Sequence, residues 1–321
     1  MPGQYQNPVH KEYFADPFVW KHDGEYYAVG GGISEGEPRV FSVLQSDDLV
    51  DWRKQGRALA ALAPEYGTAY WAPEIAFCGT QFWMYYSVGF GDKWHHLRVA
   101  VSAAPGGPYV DTGTRLTDPF TCPFAIDPSP FQDEDGTWYL FYARDFLHSN
   151  DGARPGTGIV VDRLIAPKKL AGETRCVARP QYDWQRFMKN RVMYGAVFDW
   201  HTMEGPCVRK RNGRYWCLYS GGRWENNTYG LDYVVGDNVL GPYVPCGDDS
   251  AGPRLSRTIP GKVIGPGHKS IVIGPGSSTE YLVYHAWDVG MSSRKMCIDP
   301  IDWTPEGPKT PGPTHTPQPL R

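Results

Sequence analysis

The sequence lacks a long apolar segment, an excess of one charge and a basic or apolar leader. Its longest apolar stretch near the N-terminus, residues 58–63, is six residues long and ends at Pro64, whereas a bilayer-spanning helix needs about 20 residues. With 32 basic and 35 acidic residues the net charge is −3, which is too small to attract nucleic acid or an anionic membrane. We therefore expect no nucleic-acid partner and no membrane partner.

The cysteines form no recognisable framework. Seven are present at irregular spacing and without a CxxC pair, which argues against both a disulfide scaffold and a cysteine metal site. We expect most of them to be small buried side chains. The cellular compartment stays open: the odd cysteine count and the absence of a visible signal peptide slightly favour the cytoplasm, and the protein would be secreted if a signal had been removed.

Turn-forming and aromatic residues are abundant instead. The 321 residues include 37 Gly and 29 Pro, and 14% are Phe, Trp or Tyr. This composition favours many short strands joined by tight turns over a helical bundle. The length alone leaves open whether the chain forms one domain or two.

A turn followed by an aromatic-rich strand recurs five times along the chain. The first aromatic residues of the five copies are Tyr26, Phe82, Trp138, Tyr215 and Tyr281. In three copies the turn is Asp-Gly or Asn-Gly, which favours a tight hairpin, so each copy is predicted to be the second strand of a hairpin. The copies lie 56, 56, 77 and 66 residues apart, a spacing that suits a four-stranded blade with its loops.

This repeat predicts an all-β fold, a five-bladed β-propeller with four-stranded antiparallel blades around a central channel. Residues 1–303 would form the single propeller domain. Residues 304–321 contain six prolines, and we expect them to form an extended C-terminal tail that does not pack as sheet.

The strand before each aromatic strand would be the innermost strand of its blade, and its first residues would face the channel. Asp16, Asp127, Glu204 and His268 lie 10, 11, 11 and 13 residues before the aromatic position of their blades, so we expect their side chains to converge on one axis. A single Asp-Pro pair is an ordinary turn starter. Three carboxyl groups crowded together raise one another's pKa, and such groups are more common at active sites than in structural cores.

Several carboxyl groups in one pocket suit glycoside hydrolysis. In that reaction one acid protonates the leaving oxygen, while a carboxylate activates water or attacks the anomeric carbon. Tryptophan side chains could offer flat surfaces to sugar rings, although blade cores also take up aromatic residues. The candidate tryptophans are Trp71, Trp83, Trp94, Trp200 and Trp224.

Seven short motifs follow one another along the chain. They are Ala-Asp-Pro-Phe-Val at 15–19, Trp-Ala-Pro-Glu at 71–74, Ile-Asp-Pro-Ser-Pro-Phe at 126–131, Glu-Gly-Pro at 204–206, Gly-Pro-Gly-His-Lys-Ser at 265–270, Tyr-His-Ala-Trp at 284–287 and Ile-Asp-Trp at 301–303. This ordered set resembles glycoside hydrolase family 43, from about residue 12 to residue 308. Members of that family are five-bladed propellers, in agreement with the repeat.

The resemblance implies roles for the channel residues. Asp16 would be the general base that activates water, Glu204 the general acid, and Asp127 the carboxylate that raises the pKa of the acid and holds it in place. Inversion at the anomeric centre is also implied, for which the two carboxyl groups lie about 6.5–9.5 Å apart, against about 5–5.5 Å in retaining enzymes.

The resemblance requires no cofactor, but it raises the question of a structural calcium in the central channel. His268 matches a family histidine that is often associated with bound Ca²⁺ or its waters. Calcium prefers oxygen ligands, so a single imidazole is a weak reason to expect it. His268 therefore stays open as a calcium-associated residue or as a hydrogen-bonded channel histidine that contacts substrate.

Further residues are expected to bind substrate from the pocket wall, namely Trp71, His201 and Arg294. Arg294 falls where family members often place an arginine, and its guanidinium could bind a sugar hydroxyl and keep the carboxylates ionised; the alternative is a solvated cation at a strand end. His201 lies three residues before Glu204, the first residue of the motif of the acid. His95 and His96 are instead expected in an exposed loop.

The leading functional interpretation is an inverting, exo-acting glycosidase on plant cell-wall pentose polymers that removes α-L-arabinofuranosyl units. A β-D-xylosidase, a bifunctional enzyme or an endo-arabinanase stay open, since the family contains these activities. Long loops at residues 33–39 and 145–156 would wall off one end of the pocket and favour exo action. Two other classes are a non-catalytic carbohydrate-binding propeller and a protein-interaction propeller, whose repeat is shorter, at about 40–50 residues. The expected partner is an oligo- or polysaccharide.

Overall fold

A computed structural model describes residues 3–31, 39–149, 151–247, 251–276 and 278–321. Strands joined by tight turns make up nearly all of the regular structure. Within these ranges the helical content consists of two 3-10 turns, Pro64–Tyr66 and Asp183–Gln185. Membrane-spanning helices of sufficient length and apolarity are absent from the same ranges.

The strands form five blades in chain order. After β1 (Gln4–Tyr5), blade one consists of β2 (Phe18–His22), β3 (Glu25–Gly30), β4 (Arg39–Ser46) and β5 (Arg53–Ala60), and blade two of β6 (Ala69–Cys78), β7 (Gln81–Phe90), β8 (Lys93–Ser102) and β9 (Val110–Arg115). Blade three contains β10 (Ala125–Gln132), β11 (Trp138–Phe146), β12 (Gly156–Ala166), β13 (Lys169–Leu170) and β14 (Arg175–Ala178), and is followed by β15 (Arg186–Met193). Blade four consists of β16 (Ala196–Arg211), β17 (Arg214–Gly221), β18 (Gly230–Gly236) and β19 (Val244–Pro245), and blade five of β20 (Ile264–Ile273), β21 (Glu280–Trp287), β22 (Arg294–Thr304) and β23 (Gly307–Lys309), before β24 (Gln318–Pro319).

Each blade is an antiparallel meander, and the predicted aromatic strands β3, β7, β11, β17 and β21 are the second strands. Turn chemistry explains two of the hairpins directly. Asp23 and Gly24, like Asn212 and Gly213, both have positive φ, as the central residues of a two-residue type I′ turn require. The predicted five-bladed β-propeller is confirmed.

The core lies between neighbouring blades. Five hydrophobic clusters each join two adjacent blades, and together they close the ring. The second strand of blade two shows how the sequence achieves this, because Met84 and Tyr86 pack toward blade one while Tyr85 packs toward blade three. Alternate residues of a strand point to opposite faces, so one aromatic-rich strand fills two interfaces.

The segment between blades three and four departs from the simple repeat. Strand β15 forms a hairpin with the first part of β16, and β16 also pairs in parallel with β12 at Gly156↔His201 and Thr157↔Thr202. These pairings join the sheets of the two blades. They also bring the β15–β16 hairpin to the mouth of the central pocket, which Phe187 and Arg191 line.

The C-terminal segment differs from its prediction in two places. Residues 307–309 form the outer strand of blade five, paired with β22, and Gln318 and Pro319 pair with Tyr5 and Gln4. The expectation that this segment does not pack as sheet is therefore wrong for these short stretches. Proline at an edge strand leaves the ladder intact, which explains how a proline-rich chain can still pair.

Candidate active site

The innermost strands of the five blades share one local distortion. One residue near the start of each has a positive φ, and β6, β10, β16 and β20 also shift register there. The five residues are Asp16 (φ 50°), Ala72 (46°), Asp127 (56°), Gly205 (55°) and His268 (45°). Positive φ is costly for residues other than glycine and concentrates at functional sites. The blades thus present equivalent, strained positions around the channel.

Glu204 is offset from the other channel residues by one position. It precedes the positive-φ residue Gly205, whereas Asp16, Asp127 and His268 are themselves the positive-φ residues of their blades. A Cβ at Gly205 would lie 3.1 Å from His268 Nδ1. Glycine at this position therefore both accepts the backbone conformation and leaves room for the histidine.

The structure brings the four ionisable channel residues together. Asp16, Asp127, Glu204 and His268 line one pocket of about 440 Å³. Small-molecule sites typically occupy about 300–1,000 Å³, so this pocket has the size of a ligand site. The convergence follows from the propeller, because each residue starts the innermost strand of a different blade.

Asp16 lies among positively charged and imidazole groups. Its Oδ1 is 3.2 Å from His285 Nδ1, 3.5 Å from His268 Nδ1 and 3.5 Å from Arg294 Nη1. Burial alone would raise the pKa of Asp16, but attraction to His268 and Arg294 and the contact with His285 outweigh burial and hold this pKa well below its ordinary value. Burial also lowers the pKa of His268 to about 4, so the permanent positive charge beside Asp16 comes from Arg294. Asp16 is therefore ionised at neutral pH.

Glu204 has the opposite electrostatic environment. Burial raises its pKa to about 7, and the negative charge of Asp16 adds to this effect, although the hydrogen bond from Tyr229 and the charge of Arg294 oppose it. The Tyr229 hydroxyl donates to Glu204 Oε1 over 2.7 Å. Glu204 is thus a carboxyl group that holds a proton near neutrality, as a general acid must.

Asp127 is buried, with 6% of its surface exposed, between the acid and the histidine. Its Oδ2 accepts a hydrogen bond of 2.8 Å from the Gly205 backbone N–H and lies 3.9 Å from His268 Nδ1. Burial and the negative charges of Glu204 and Asp16 raise the pKa of Asp127 well above its ordinary value. Through the Gly205 N–H, Asp127 contacts the peptide unit that carries Glu204.

Aromatic and cationic side chains form the wall of the pocket. Trp71, Trp224 and Arg294, all predicted as candidates, line it with the carboxyl groups. Arg294 stacks on Trp224, with its guanidinium carbon 4.4 Å from the ring centroid, and donates to the Tyr13 hydroxyl over 2.8 Å. The alternative of a solvated Arg294 is wrong, because its side chain is only 13% exposed and faces Asp16.

A chain of contacts, which we call the rim, follows one side of the pocket mouth and consists of Asp92, Arg191, Phe187, Arg223 and Glu225. Arg191 Nη2 lies 2.7 Å from Asp92 Oδ2. The guanidinium carbons of Arg191 and Arg223 lie 4.9 Å and 5.4 Å from the centroid of the Phe187 ring, and Arg223 Nη2 lies 2.5 Å from Glu225 Oε2. The rim joins a turn of blade two, the β15–β16 hairpin and a loop of blade four.

His201 does not fulfil its prediction as a residue of the pocket wall. It is buried at the junction of blades three and four, where its Nδ1 contacts the Asp199 carbonyl oxygen at 2.9 Å and its Nε2 lies 3.4 Å from Arg154 Nη1. The parallel pairing of His201 with Gly156 of β12 places the histidine at this junction and away from the pocket. Trp200 is also buried, at 1% exposure, and packs as a core side chain.

The expectation that His95 and His96 lie in an exposed loop is wrong. Both are buried on β8, at 0% and 3% exposure. The His95 ring stacks on Trp71 with 3.8 Å between centroids, so it supports an aromatic wall of the pocket from behind. Among the other predicted tryptophans, Trp94 is 53% exposed, and Trp83 packs against the cluster between blades two and three.

The surroundings of His268 do not fit the oxygen shell that calcium prefers. Two of its neighbours are the carboxylates of Asp16 and Asp127, at 3.5 Å and 3.9 Å from Nδ1, but the described residues contain no group of three or more side chains arranged to hold a metal ion. Calcium takes six to eight oxygen ligands. We therefore derive no step of the reaction through a metal.

Sequence reasoning assigned no role to Tyr229 and His285, which contact Glu204 and Asp16, or to Lys269, which donates to the Gly205 carbonyl oxygen. His285 stood within a quoted motif, and Lys269 follows His268 directly. Tyr229 carries only an indirect signal: a Cβ at Gly267 would overlap the Tyr229 ring, so this glycine is required for the tyrosine to reach Glu204.

The fold and the site together define a β-propeller glycosidase with an ionised carboxylate and a protonated carboxyl group in one pocket. Residues 5–308 match the family described as Glycosyl hydrolases family 43, and the chain belongs to this family. It superposes on the crystal structure of a thermostable family-43 glycoside hydrolase with a TM-score of 0.83 and 30% identity, over 99% of both chains.

Two curated relatives show the range of activities near this sequence. A β-D-galactofuranosidase of Aspergillus niger is 27% identical over 318 residues, which cover 91% of this chain and 80% of that protein. An extracellular endo-α-(1→5)-L-arabinanase of Bacillus subtilis is 26% identical over 312 residues, which cover 91% of this chain and 86% of that protein. The relatives therefore support glycoside hydrolysis but differ in sugar and in mode of cleavage.

Proposed function

We propose that the protein is an inverting, exo-acting α-L-arabinofuranosidase on plant cell-wall pentose polymers. The single observation that carries the catalytic part is the contrast between two carboxyl groups in one pocket. The pKa of Asp16 is held well below its ordinary value, while burial raises that of Glu204 to about 7. Groups whose environments separate their pKa values in this way serve as base and acid.

In the proposed reaction Asp16 is the general base and Glu204 the general acid. The Asp16 carboxylate takes a proton from a water molecule whose oxygen bonds to the anomeric carbon, and the glycosidic C–O bond breaks as Glu204 gives its proton to the leaving oxygen. The Tyr229 hydroxyl hydrogen-bonds Glu204 Oε1, so the transferable proton sits on Oε2. Asp127 holds the backbone of the acid through the Gly205 N–H; burial and Asp16 raise the pKa of Glu204, so an effect of Asp127 on that pKa stays a prediction.

The sugar is inferred from the two curated relatives. One cleaves an α-(1→5)-L-arabinan and the other a galactofuranoside. An α-L-arabinofuranoside contains arabinose, as the substrate of the arabinanase does, and a furanose ring, as the substrate of the galactofuranosidase does. A β-D-xylosidase or a bifunctional enzyme is the second candidate, because Trp71, Trp224 and Arg294 present surfaces that suit any small sugar ring.

Exo action is supported by the rim, which bounds one side of the pocket mouth. Of the loops predicted to close the pocket, residues 33–38 lie outside the described residues, so the loop 33–39 adds no support. The second predicted loop begins at Asp145, which the structure places on strand β11; its carboxylate accepts a hydrogen bond of 2.6 Å from Tyr194 at the tip of the β15–β16 hairpin. Strand β11 thus supports the hairpin that carries Arg191. An endo-arabinanase would need a groove that continues past this side.

The proposal is tested with nitrophenyl α-L-arabinofuranoside, nitrophenyl β-D-xyloside, linear arabinan and xylan. We expect the parent to cleave the arabinofuranoside fastest and to release only monosaccharide from arabinan, with the anomer inverted in a proton NMR time course. Asp16→Asn and Glu204→Gln should lower kcat on arabinan by about 10²–10⁴-fold, whereas the exposed control Glu134→Gln should not. No turnover of any of the four substrates would support a non-catalytic carbohydrate-binding propeller instead.

A further inference from the structure

Lys269 is a buried cation that the proposed chemistry does not use. Only 1% of its surface is exposed, and it follows His268 on the innermost strand of blade five. Its ammonium donates a hydrogen bond to the backbone carbonyl oxygen of Gly205. Lys269 therefore reaches across the channel from blade five to the strand of blade four that carries Glu204.

Gly205 is held from two sides. Its N–H donates to Asp127 Oδ2 over 2.8 Å, and its carbonyl oxygen accepts from Lys269. The first contact fixes the peptide unit between Glu204 and Gly205, and the second fixes the unit that follows. With φ at 55° and without a side chain, Gly205 has little conformational preference of its own. These two contacts, from blades three and five, hold the backbone next to Glu204, while Tyr229 contacts the carboxyl group itself.

Burial of an ammonium group is expensive, and its partner here is a neutral carbonyl. Removing an ion from water is unfavourable, and burial accordingly lowers the pKa of Lys269 to about 8. A methionine has similar length and would fill the same space without this cost. A methionine can supply neither a fixed donor to Gly205 nor a positive charge near the buried carboxyl groups of Glu74 and Asp127.

We propose that Lys269 is a positioning residue for the general acid, because its hydrogen bond to Gly205 fixes the backbone from which Glu204 projects. This inference rests on the proposed role of Glu204. It predicts a specific defect, since a misdirected acid slows only reactions that need leaving-group protonation. A misplacement of about 1 Å costs about 10²-fold, while a leaving group with a low pKa departs without help.

The test compares Lys269→Met with the parent on two arabinofuranosides, one with a dinitrophenyl and one with a methyl leaving group. We expect kcat on the methyl glycoside to fall about 10- to 100-fold, kcat on the dinitrophenyl glycoside to change less than about 3-fold, and KM to stay the same on both. Lys269→Arg, which keeps a cationic donor, should recover part of the loss. Lys210→Met is the matched control, since Lys210 forms ion pairs with Asp133 and Glu134 at the outer end of its strand.

Equal losses on the two substrates, or no loss on either, would overturn the inference. If Lys269→Met does not fold, as judged by its melting curve, Lys269→Leu, which also lacks the donor to Gly205, gives the same comparison. Glu204→Gln is measured in parallel. If Glu204→Gln shows no preference for the dinitrophenyl leaving group, the assignment of the acid has failed, and this failure is distinguishable from that of Lys269.

Discussion

At the scale of single residues, three carboxyl groups of similar intrinsic acidity acquire different properties from their neighbours. Asp16 contacts Arg294 and two imidazoles, Glu204 contacts a tyrosine hydroxyl, and Asp127 accepts a backbone N–H. Of these three surroundings, only that of Asp16 contains a permanent positive charge, the guanidinium of Arg294. The division between base and acid therefore depends on Arg294, which stacks on Trp224 and is held in place by Tyr13.

Removal of the Arg294 charge should reduce the difference between the pKa values of Asp16 and Glu204. In Arg294→Met we expect the pKa of Asp16 to rise, because burial then acts with less opposition, and kcat/KM to fall at pH 5 more than at pH 7. The profile of kcat/KM against pH for parent and variant measures this difference. Equal losses at both pH values would mean that Arg294 only binds substrate.

Ionisation of the buried Glu204 side chain should lower the free energy of unfolding at high pH. The folded protein raises the pKa of Glu204 from 4.5 to about 7, so the native state binds more protons than the unfolded chain between these values. The free energy of unfolding then falls as the pH rises through this window. Glu204→Gln removes the titration and should melt at a higher temperature than the parent at pH 8, but at a similar temperature at pH 4. A lower melting temperature of the variant at pH 8 would contradict this reading; Glu134→Gln is the control.

At the scale of elements, the channel residues lie at equivalent positions of the innermost strands. Site residues at these positions can be predicted from the sequence repeat, whereas site residues elsewhere cannot. Asp16, Asp127 and His268 were found from their offsets to an aromatic strand, because hairpin geometry keeps that offset nearly constant. The prediction for His201 is wrong because β16 pairs in parallel with β12 at His201 and Thr202, and this long-range pairing carries no local signal. Tyr229 lies in the loop between β17 and β18 of blade four, and Arg191 lies on β15 between blades three and four; in neither segment does a periodicity indicate a direction.

The rim is expected to limit which part of an arabinan chain can enter the pocket. Arg191→Ala removes both the ion pair with Asp92 and the contact with Phe187, so the pocket mouth widens on that side. We expect longer arabino-oligosaccharides to appear among the products from linear arabinan, with kcat/KM on the nitrophenyl glycoside changed less than about 3-fold. The melting temperature should fall somewhat, since the Arg191 side chain is only 13% exposed and its guanidinium carbon also lies 5.2 Å from the Trp200 ring centroid, so packing is lost together with the charge.

Product chromatography over time measures the effect of Arg191→Ala. The control is Arg163→Ala, which removes a surface cation 3.8 Å from Glu173 on blade three. Monosaccharide as the sole product of both variants would show that the rim does not limit the pocket.

At the scale of the whole molecule, five blades close into a ring through the two ends of the chain. Asp299 on β22 accepts hydrogen bonds from Tyr5 (3.2 Å), Tyr284 (2.6 Å) and Thr314 (2.5 Å). It is 0% exposed and joins the N-terminal segment, blade five and the C-terminal segment. The repeat predicts the blades. Contacts between distant parts of the chain carry no local signal, so the sequence of the C-terminal segment predicts an unpaired tail.

Loss of this junction should affect stability and leave the chemistry intact. Asp299→Ala leaves several buried donors without an acceptor, at about 1–3 kcal/mol each, so we expect a clearly lower melting temperature and an unchanged KM at 25 °C. Asp302→Ala, at an exposed position of the same strand, is the control. An unchanged melting temperature for Asp299→Ala would contradict a role of this residue in ring closure.

The central claim is that one pocket holds Asp16 as an ionised base and Glu204 as a protonated acid. The most direct test is the dependence of kcat/KM on pH for the parent enzyme, since this profile reports the ionisation of the essential groups in the free enzyme. The account predicts that kcat/KM stays constant between about pH 4 and about pH 5. At higher pH it should fall with a midpoint near pH 7, as Glu204 loses its proton. Activity that instead rises between pH 5 and 7 and persists to pH 9 would contradict it.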